Sequence, residues 1–164
     1  MKFIADSMLG SLTRWLRLIG YDVRYIKDYD DFELIEEAIK KSRVLLTGDL
    51  ELYRLAKKKG IEALLIKERG KAEMLAQVVD RYGLNLEVDL AKSRCPKCGS
   101  MVKTIPKEKI KSKVPPSTFR YQEDFWICTN SECEKVYWYG SHWKKIEKIL
   151  IKAKKLAKEF KPNA

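Results

Sequence analysis

All four cysteines of this chain fall in two short loops, Cys95-Pro96-Lys97-Cys98 and Cys128-Thr129-Asn130-Ser131-Glu132-Cys133. A tight knuckle turn presents two sulfurs to one ion without strain. Two such loops therefore predict a closed tetrahedral zinc site, with Cys95, Cys98, Cys128 and Cys133 as ligands. Gly99, directly after the first pair, suits the turn. Lys, Glu and Ile are abundant, and only Gln77, Gln122, Asn85, Asn130 and Asn163 carry side-chain amides. That bias marks proteins from hot environments, a thermophile signature. Intracellular disulfides occur in such organisms, so two disulfides stand as the alternative to zinc, and the spacing favours zinc.

Charge divides the chain at the same place. Met1 to Leu90 hold sixteen Lys/Arg and sixteen Asp/Glu, whereas Ala91 to Ala164 hold eighteen against seven, so the whole +11 excess lies in the second part. A neutral working domain joined to a strongly basic one predicts an electrostatic arm for a polyanion, most often nucleic acid. The plainer alternative is a solvated, highly charged surface. A chain of 164 residues can bury one core of about a hundred residues plus a small unit that needs a metal staple. The expected division is 1–90, an α/β domain; 91–143, the zinc ribbon; and 144–164, a basic amphipathic helical tail. No run of about eighteen apolar residues is present, and Met1 to Asp6 lacks the apolar core of a signal peptide, which predicts a cytoplasmic protein with no membrane partner.

Periodicity fills in the first part. Lys2 to Ala5 is a short apolar run stopping at Asp6, after which Leu9, Leu12, Trp15, Leu16 and Ile19 recur at helical spacing before Gly20. Strands are expected again at Val23 to Ile26, Val44 to Leu46 and Ala63 to Ile66, with helices between them and a last helix over 72–82. Strands alternating with helices need right-handed crossovers and give a parallel sheet covered on both faces. Leu84 to Leu90 reads as an edge strand or a linker. Lys103 to Pro116 reads as a mobile or loosely held basic loop carrying Lys103, Lys107, Lys109, Lys111 and Lys113. From Ile146 on, apolar residues repeat along one face of a lysine-rich helix.

In such a sheet Asp6, then Asp30 and Asp31, then Asp49 and Glu51, each follow a strand and so lie at its carboxyl edge. Ligands of open α/β sheets bind outside that edge, where these residues would converge. Clustered carboxylates repel one another unless a cation neutralises them, and oxygen-only ligands suit magnesium or manganese. Carboxylate-held metals support phosphodiester hydrolysis. Asp6, Asp31 and Asp49 also lie near expected helix starts and fit N-caps, but Ser or Thr would cap equally well, so three aspartates on one edge tilt the reading toward metal binding.

Several motifs carry a family likeness: Asp6-Ser7-Met8-Leu9-Gly10, Arg14-Trp15-Leu16-Arg17, Gly20-Tyr21-Asp22-Val23, Asp30-Asp31 and Arg43-Val44-Leu45-Leu46-Thr47-Gly48-Asp49. It continues through Cys95-Pro96-Lys97-Cys98-Gly99, Val114-Pro115-Pro116, Phe125-Trp126, Val136-Tyr137-Trp138 and Gly140-Ser141-His142-Trp143. Over about residues 1 to 145 the chain resembles the PIN-like ribonuclease domain at the C-terminus of the Mut-seven family. The resemblance implies a PIN-like parallel sheet flanked by helices, a divalent-metal nuclease site, and an appended zinc ribbon. It puts the acidic site on Asp6, Asp31 with its neighbour Asp30, and Asp49, with Glu51 as a further acid. The second cysteine loop, with four intervening residues, is longer than the family's usual two.

Candidate RNA contacts are Arg14 and Arg17 on the first helix, the five lysines of the basic loop, and Trp138, His142 and Trp143. Arg17 reads as well as part of a solvated helix face. The aromatics read as well as the packing of a small core. The leading expectation is a metal-dependent RNA endonuclease whose basic ribbon grips ribosomal or other structured RNA. The rivals are a non-catalytic RNA- or ribosome-binding protein and a protein-binding adaptor.

Overall fold

The computed structural model describes residues 1–160; the last four residues of the expected tail lie outside the described residues. Strands β1 (Lys2–Ala5), β2 (Asp22–Tyr25), β3 (Val44–Thr47) and β4 (Ala63–Leu65) form a parallel sheet in the order β2-β1-β3-β4. Each is followed by a helix: α1 (Gly10–Leu18), α2 (Asp31–Lys41), α3 (Leu50–Lys58) and α4 (Lys71–Tyr82). Because side chains alternate across a strand, Phe3, Ala5, Val23 and Leu46 meet Leu12, Leu16, Leu75 and Ala76 on one face. Ile4, Leu45 and Ala63 meet Leu34, Ile35, Leu52 and Ala56 on the other. The chain leaves β1 toward β2 and then crosses back to β3, so the reversal of strand order falls between β1 and β3.

Leu84 to Leu90 is a linker rather than a strand, running irregularly from α4 toward the ribbon. There β5 (Val102–Ile105), β6 (Phe125–Cys128) and β7 (Val136–Tyr137) form an antiparallel sheet, with the short helix α5 (Pro116–Tyr121) between β5 and β6. The segment expected as a loose basic loop is anchored instead. Its first residues belong to β5, and Ile110 and Val114 are buried against Phe125, Ile127 and Val136. The alternating lysines masked those two apolar anchors. Helix α6 (Trp143–Glu159) returns to the first unit, burying Ala153 and Ala157 in the α1–α4 core, with Lys152 Nζ 2.8 Å from Glu73. Small residues let helices approach closely, and its lysines remain outward.

Candidate active site and metal centre

Asp6 leaves β1 as the N-cap of a 3₁₀ turn, Ser7–Leu9, and its Oδ1 accepts the Met8 amide at 2.9 Å. Its Oδ2 accepts the Thr47 hydroxyl at 2.5 Å and the Gly48 amide at 3.0 Å. Thr47 Oγ1 in turn accepts the Asp49 amide at 3.0 Å. One fully buried hydroxyl thus ties the end of β1 to the end of β3, at the strand-order reversal where open α/β sheets place their ligands.

Asp49 caps α3, with Oδ1 accepting the amides of Glu51 at 2.8 Å and Leu52 at 3.2 Å. Its Oδ2 accepts no hydrogen bond among the described residues. Asp30, rather than Asp31, caps α2, in a reciprocal capping box with Glu33. Capping therefore accounts for Asp6, Asp30 and Asp49, and it leaves Asp31 uncommitted at the first helical position. A carboxylate has about four lone-pair sites, so a cap does not exhaust one.

Partial burial, followed by repulsion from Asp49, Asp30 and Asp6, raises Asp31 above its ordinary pKa of 3.8. The favourable field of the α2 N-terminus does not offset these effects. Charges from three separate turns thus reach Asp31. Glu51 does not join them; it is exposed and pairs with Arg54 at 3.1 Å. Among the described residues only the four cysteines bring three or more ligand atoms of His, Cys, Asp or Glu within 4.8 Å of one another. The acidic oxygens stand farther apart.

The cysteines are four free thiols, with Cys95 Sγ 3.9 Å from Cys133 Sγ and Cys98 Sγ 3.4 Å from Cys128 Sγ. A tetrahedral zinc with bonds of about 2.3 Å holds its sulfurs about 3.8 Å apart, so the cluster of free thiols fits such an ion. Backbone turns build it. Gly99, at φ 85°, lets its amide return to the Cys95 carbonyl at 2.7 Å. The longer second loop closes through Asn130, whose carbonyl accepts the Cys133 amide at 3.0 Å. Burial opposes ionisation of Cys98, yet hydrogen bonds from Ser100 and then from Cys128 and Cys95 bring its thiol down to about 6. Burial pushes Cys128 and Cys133 up.

Arg17, expected at the RNA surface, is only 5% exposed. Its guanidinium donates to Val23 O at 2.9 and 3.1 Å, to Pro96 O at 3.2 Å and to Lys97 O at 3.3 Å. It is a strut between α1, β2 and the first cysteine knuckle, and the helical pattern alone gave no sign of those distant carbonyls. Arg14 is exposed on α1 and shares a cavity with Trp138, His142 and Trp143. In the ribbon, Lys107 pairs with Glu123 at 3.0 Å and Lys113 with Glu134 at 3.7 Å. Lys107 and Lys111 also lie over the Phe119 ring. Lys103 and Lys109 line a groove of about 550 Å³ and make no ion pair among the described residues. Thr47, which holds two of the acids together, was visible only as the Thr-x-Asp ending of the third apolar run.

No helix among the described residues is long and apolar enough to cross a membrane. No curated protein and no solved structure matches this chain. The model of the Mut7-C RNAse domain matches residues 1–150, which take in all of the parallel sheet, the ribbon and the first half of α6. With a parallel α/β unit followed by a four-cysteine centre, and with that model covering most of its length, the chain belongs to the Mut7-C RNAse domain family.

Proposed function

We infer that this protein is a divalent-metal-dependent endoribonuclease acting at the acidic edge of its parallel sheet. What supports the reading is that Asp6, Asp31 and Asp49 each follow the carboxyl end of a strand of one parallel sheet, and that the charges of Asp49 and Asp6 reach Asp31. The donors are all oxygen, which suits magnesium or manganese. Asp31 and Asp49 Oδ2 would hold the ion, with Asp30 beside them and Asp6 contributing from Oδ1. When bound, such an ion supplies Lewis acidity toward a phosphodiester and neutralises developing charge.

The remaining roles belong to the chain. Thr47 and Gly48 clamp Asp6 so that it cannot swing away, and Thr47 fixes Asp49 against it. The α2 cap engages Asp30, and Asp31, the first helical residue, is left without that duty. Glu51 is left out because it faces Arg54. The RNA strand is held by the basic surface of the ribbon, chiefly Lys103, Lys109 and Lys111, since Lys107 and Lys113 already face carboxylates. Phosphate contacts of this kind weaken steeply with salt.

A cleavage assay on total RNA, with and without manganese, tests the reading. Asp49→Asn keeps an N-cap residue, so α3 should persist. Manganese-stimulated cleavage should fall to background while RNA is still bound. Undiminished cleavage by the variant would remove the proposed site. One observation favours a non-catalytic RNA-binding protein instead: both oxygens of Asp6 already accept hydrogen bonds. RNA binding by the wild type without cleavage in either metal, over several substrates, would favour that second reading.

A further inference from the structure

A cavity of about 640 Å³ lies where the first unit, the ribbon and α6 meet. Its walls include Arg14 and Trp15 from α1, Lys71 from the start of α4, Trp138 and His142 from the end of the ribbon, and Trp143 from the start of α6. Its volume is in the usual range for a ligand site. No carboxylate lines it, although the chain as a whole carries 23 Asp and Glu. The nearest acids of those elements are engaged elsewhere: Glu73 with Lys152, and Glu147 with the Trp143 indole N–H at 2.9 Å.

Two features distinguish this place from a chance crevice. Three half-buried indole rings border it, and those of Trp15 and Trp138 have no hydrogen-bond acceptor for their N–H among the described residues. Gly140 also sits under two of the rings. A Cβ there would fall 2.9 Å from Trp138 Nε1 and 3.2 Å from His142 Nδ1, so the absence of a side chain lets both rings close over the turn. Aromatic faces beside exposed cations suit a base and its phosphate together, where a bare phosphate would need only the cations. Gly10 and Ser11 form part of the same wall, and Gly10 follows directly on the turn capped by Asp6. A strand seated here would continue toward the acidic edge.

We propose that this cavity is a subsite for an unpaired nucleotide of single-stranded RNA, with an aromatic wall for the base and Arg14 and Lys71 for the adjoining phosphates. The proposal rests on the ribonuclease reading for its direction toward the acids. A base inside a duplex has neighbours on both faces and cannot enter, so the subsite selects single strands.

Tryptophan fluorescence of the full chain, titrated in EDTA so that no strand is cut, measures binding of a short single-stranded oligoribonucleotide and of its blunt duplex. The single strand should bind at least about tenfold tighter than the duplex. Arg14→Ala and Lys71→Ala, both at exposed positions, should each weaken single-strand binding several-fold and lower the salt slope by about one contact, with melting temperatures unchanged. Trp143→Leu should weaken it by about tenfold or more. Equal affinity for duplex, or variants that bind like wild type with the same salt slope, would overturn the subsite. The two readings fail separately. Manganese-dependent cleavage with no effect of Arg14→Ala or Lys71→Ala on binding or KM would leave the nuclease and remove the subsite. The stated binding pattern without any cleavage would support the subsite and remove the nuclease.

Discussion

The acidic edge of the sheet and the cysteine centre of the ribbon are built on opposite principles. The parallel-sheet unit buries Phe3, Ile4, Leu12, Leu16, Leu45, Leu46, Leu52 and Leu75 almost completely, on two faces of one sheet. The ribbon has one small cluster around Phe125 and a second made chiefly of Cys95, Cys128 and Val102. In the first region the ionisable groups stand at the rim of a core that is already complete. In the second, thiols make up most of one of the two small clusters. A metal bound at the acidic edge would therefore leave the fold in place, whereas a metal bound among the cysteines would be part of the fold.

The largest effect that would break this contrast is removal of the thiolate centre. A structural zinc site contributes on the order of 10 kcal/mol to the unit it closes. Cys98→Ser, or chelation, should expose the amides of β5, β6 and β7 to hydrogen exchange while β1 and β3 stay protected, and metal analysis of the wild type should find about one zinc per chain. A ribbon equally protected without metal would contradict the account.

A smaller effect should come from the strut between the regions. Arg17→Met leaves the buried carbonyl of Val23 and those of Pro96 and Lys97 without their donor, at about 1–3 kcal/mol for each unsatisfied group. The chain should lose about 3 kcal/mol in denaturant unfolding, with faster exchange both in β2 and around the Cys95 knuckle. Loosening confined to one region would show that the two are not coupled through this side chain.

The smallest effect concerns Asp31. Its pKa is raised in the folded state, so its favourable contribution is complete below its unfolded value of 3.8 and is lost as pH rises through the folded value. At neutral pH without divalent ions its charge opposes folding. In EDTA, Asp31→Asn should melt slightly above wild type at pH 7, and the gap should close as the solution is acidified toward pH 4 and below. A variant less stable than wild type at pH 7 would mean that the helix-terminus charge outweighs the repulsion.

Much of this was legible in the chain itself. The alternation of apolar runs and helical stripes gave the parallel sheet because each run is short, buried and separated by about one helix. The cysteine loops gave the ribbon because their spacing is local. What depends on distant partners was not legible. Arg17 looks like one more surface arginine until the chain returns to Pro96 and Lys97. Ile110 and Val114 sit among lysines and become core only when β6 lies beside them. At the candidate site, the positions of Asp6, Asp31 and Asp49 followed from strand ends, but which of two adjacent aspartates caps α2 is settled by local backbone geometry: Asp30 is extended and Asp31 already helical. The same limit hid the distinction between Glu51, turned to Arg54, and its more engaged neighbour Asp49.

Manganese binding to the acidic edge tests the central claim most directly, read by electron paramagnetic resonance on zinc-loaded protein so that the thiolates are already occupied. The account predicts a saturable manganese site in the wild type that is lost in Asp31→Asn and in Asp49→Asn, with the zinc content of all three proteins equal. Manganese binding that is unchanged in both variants, or absent from the wild type, would contradict it.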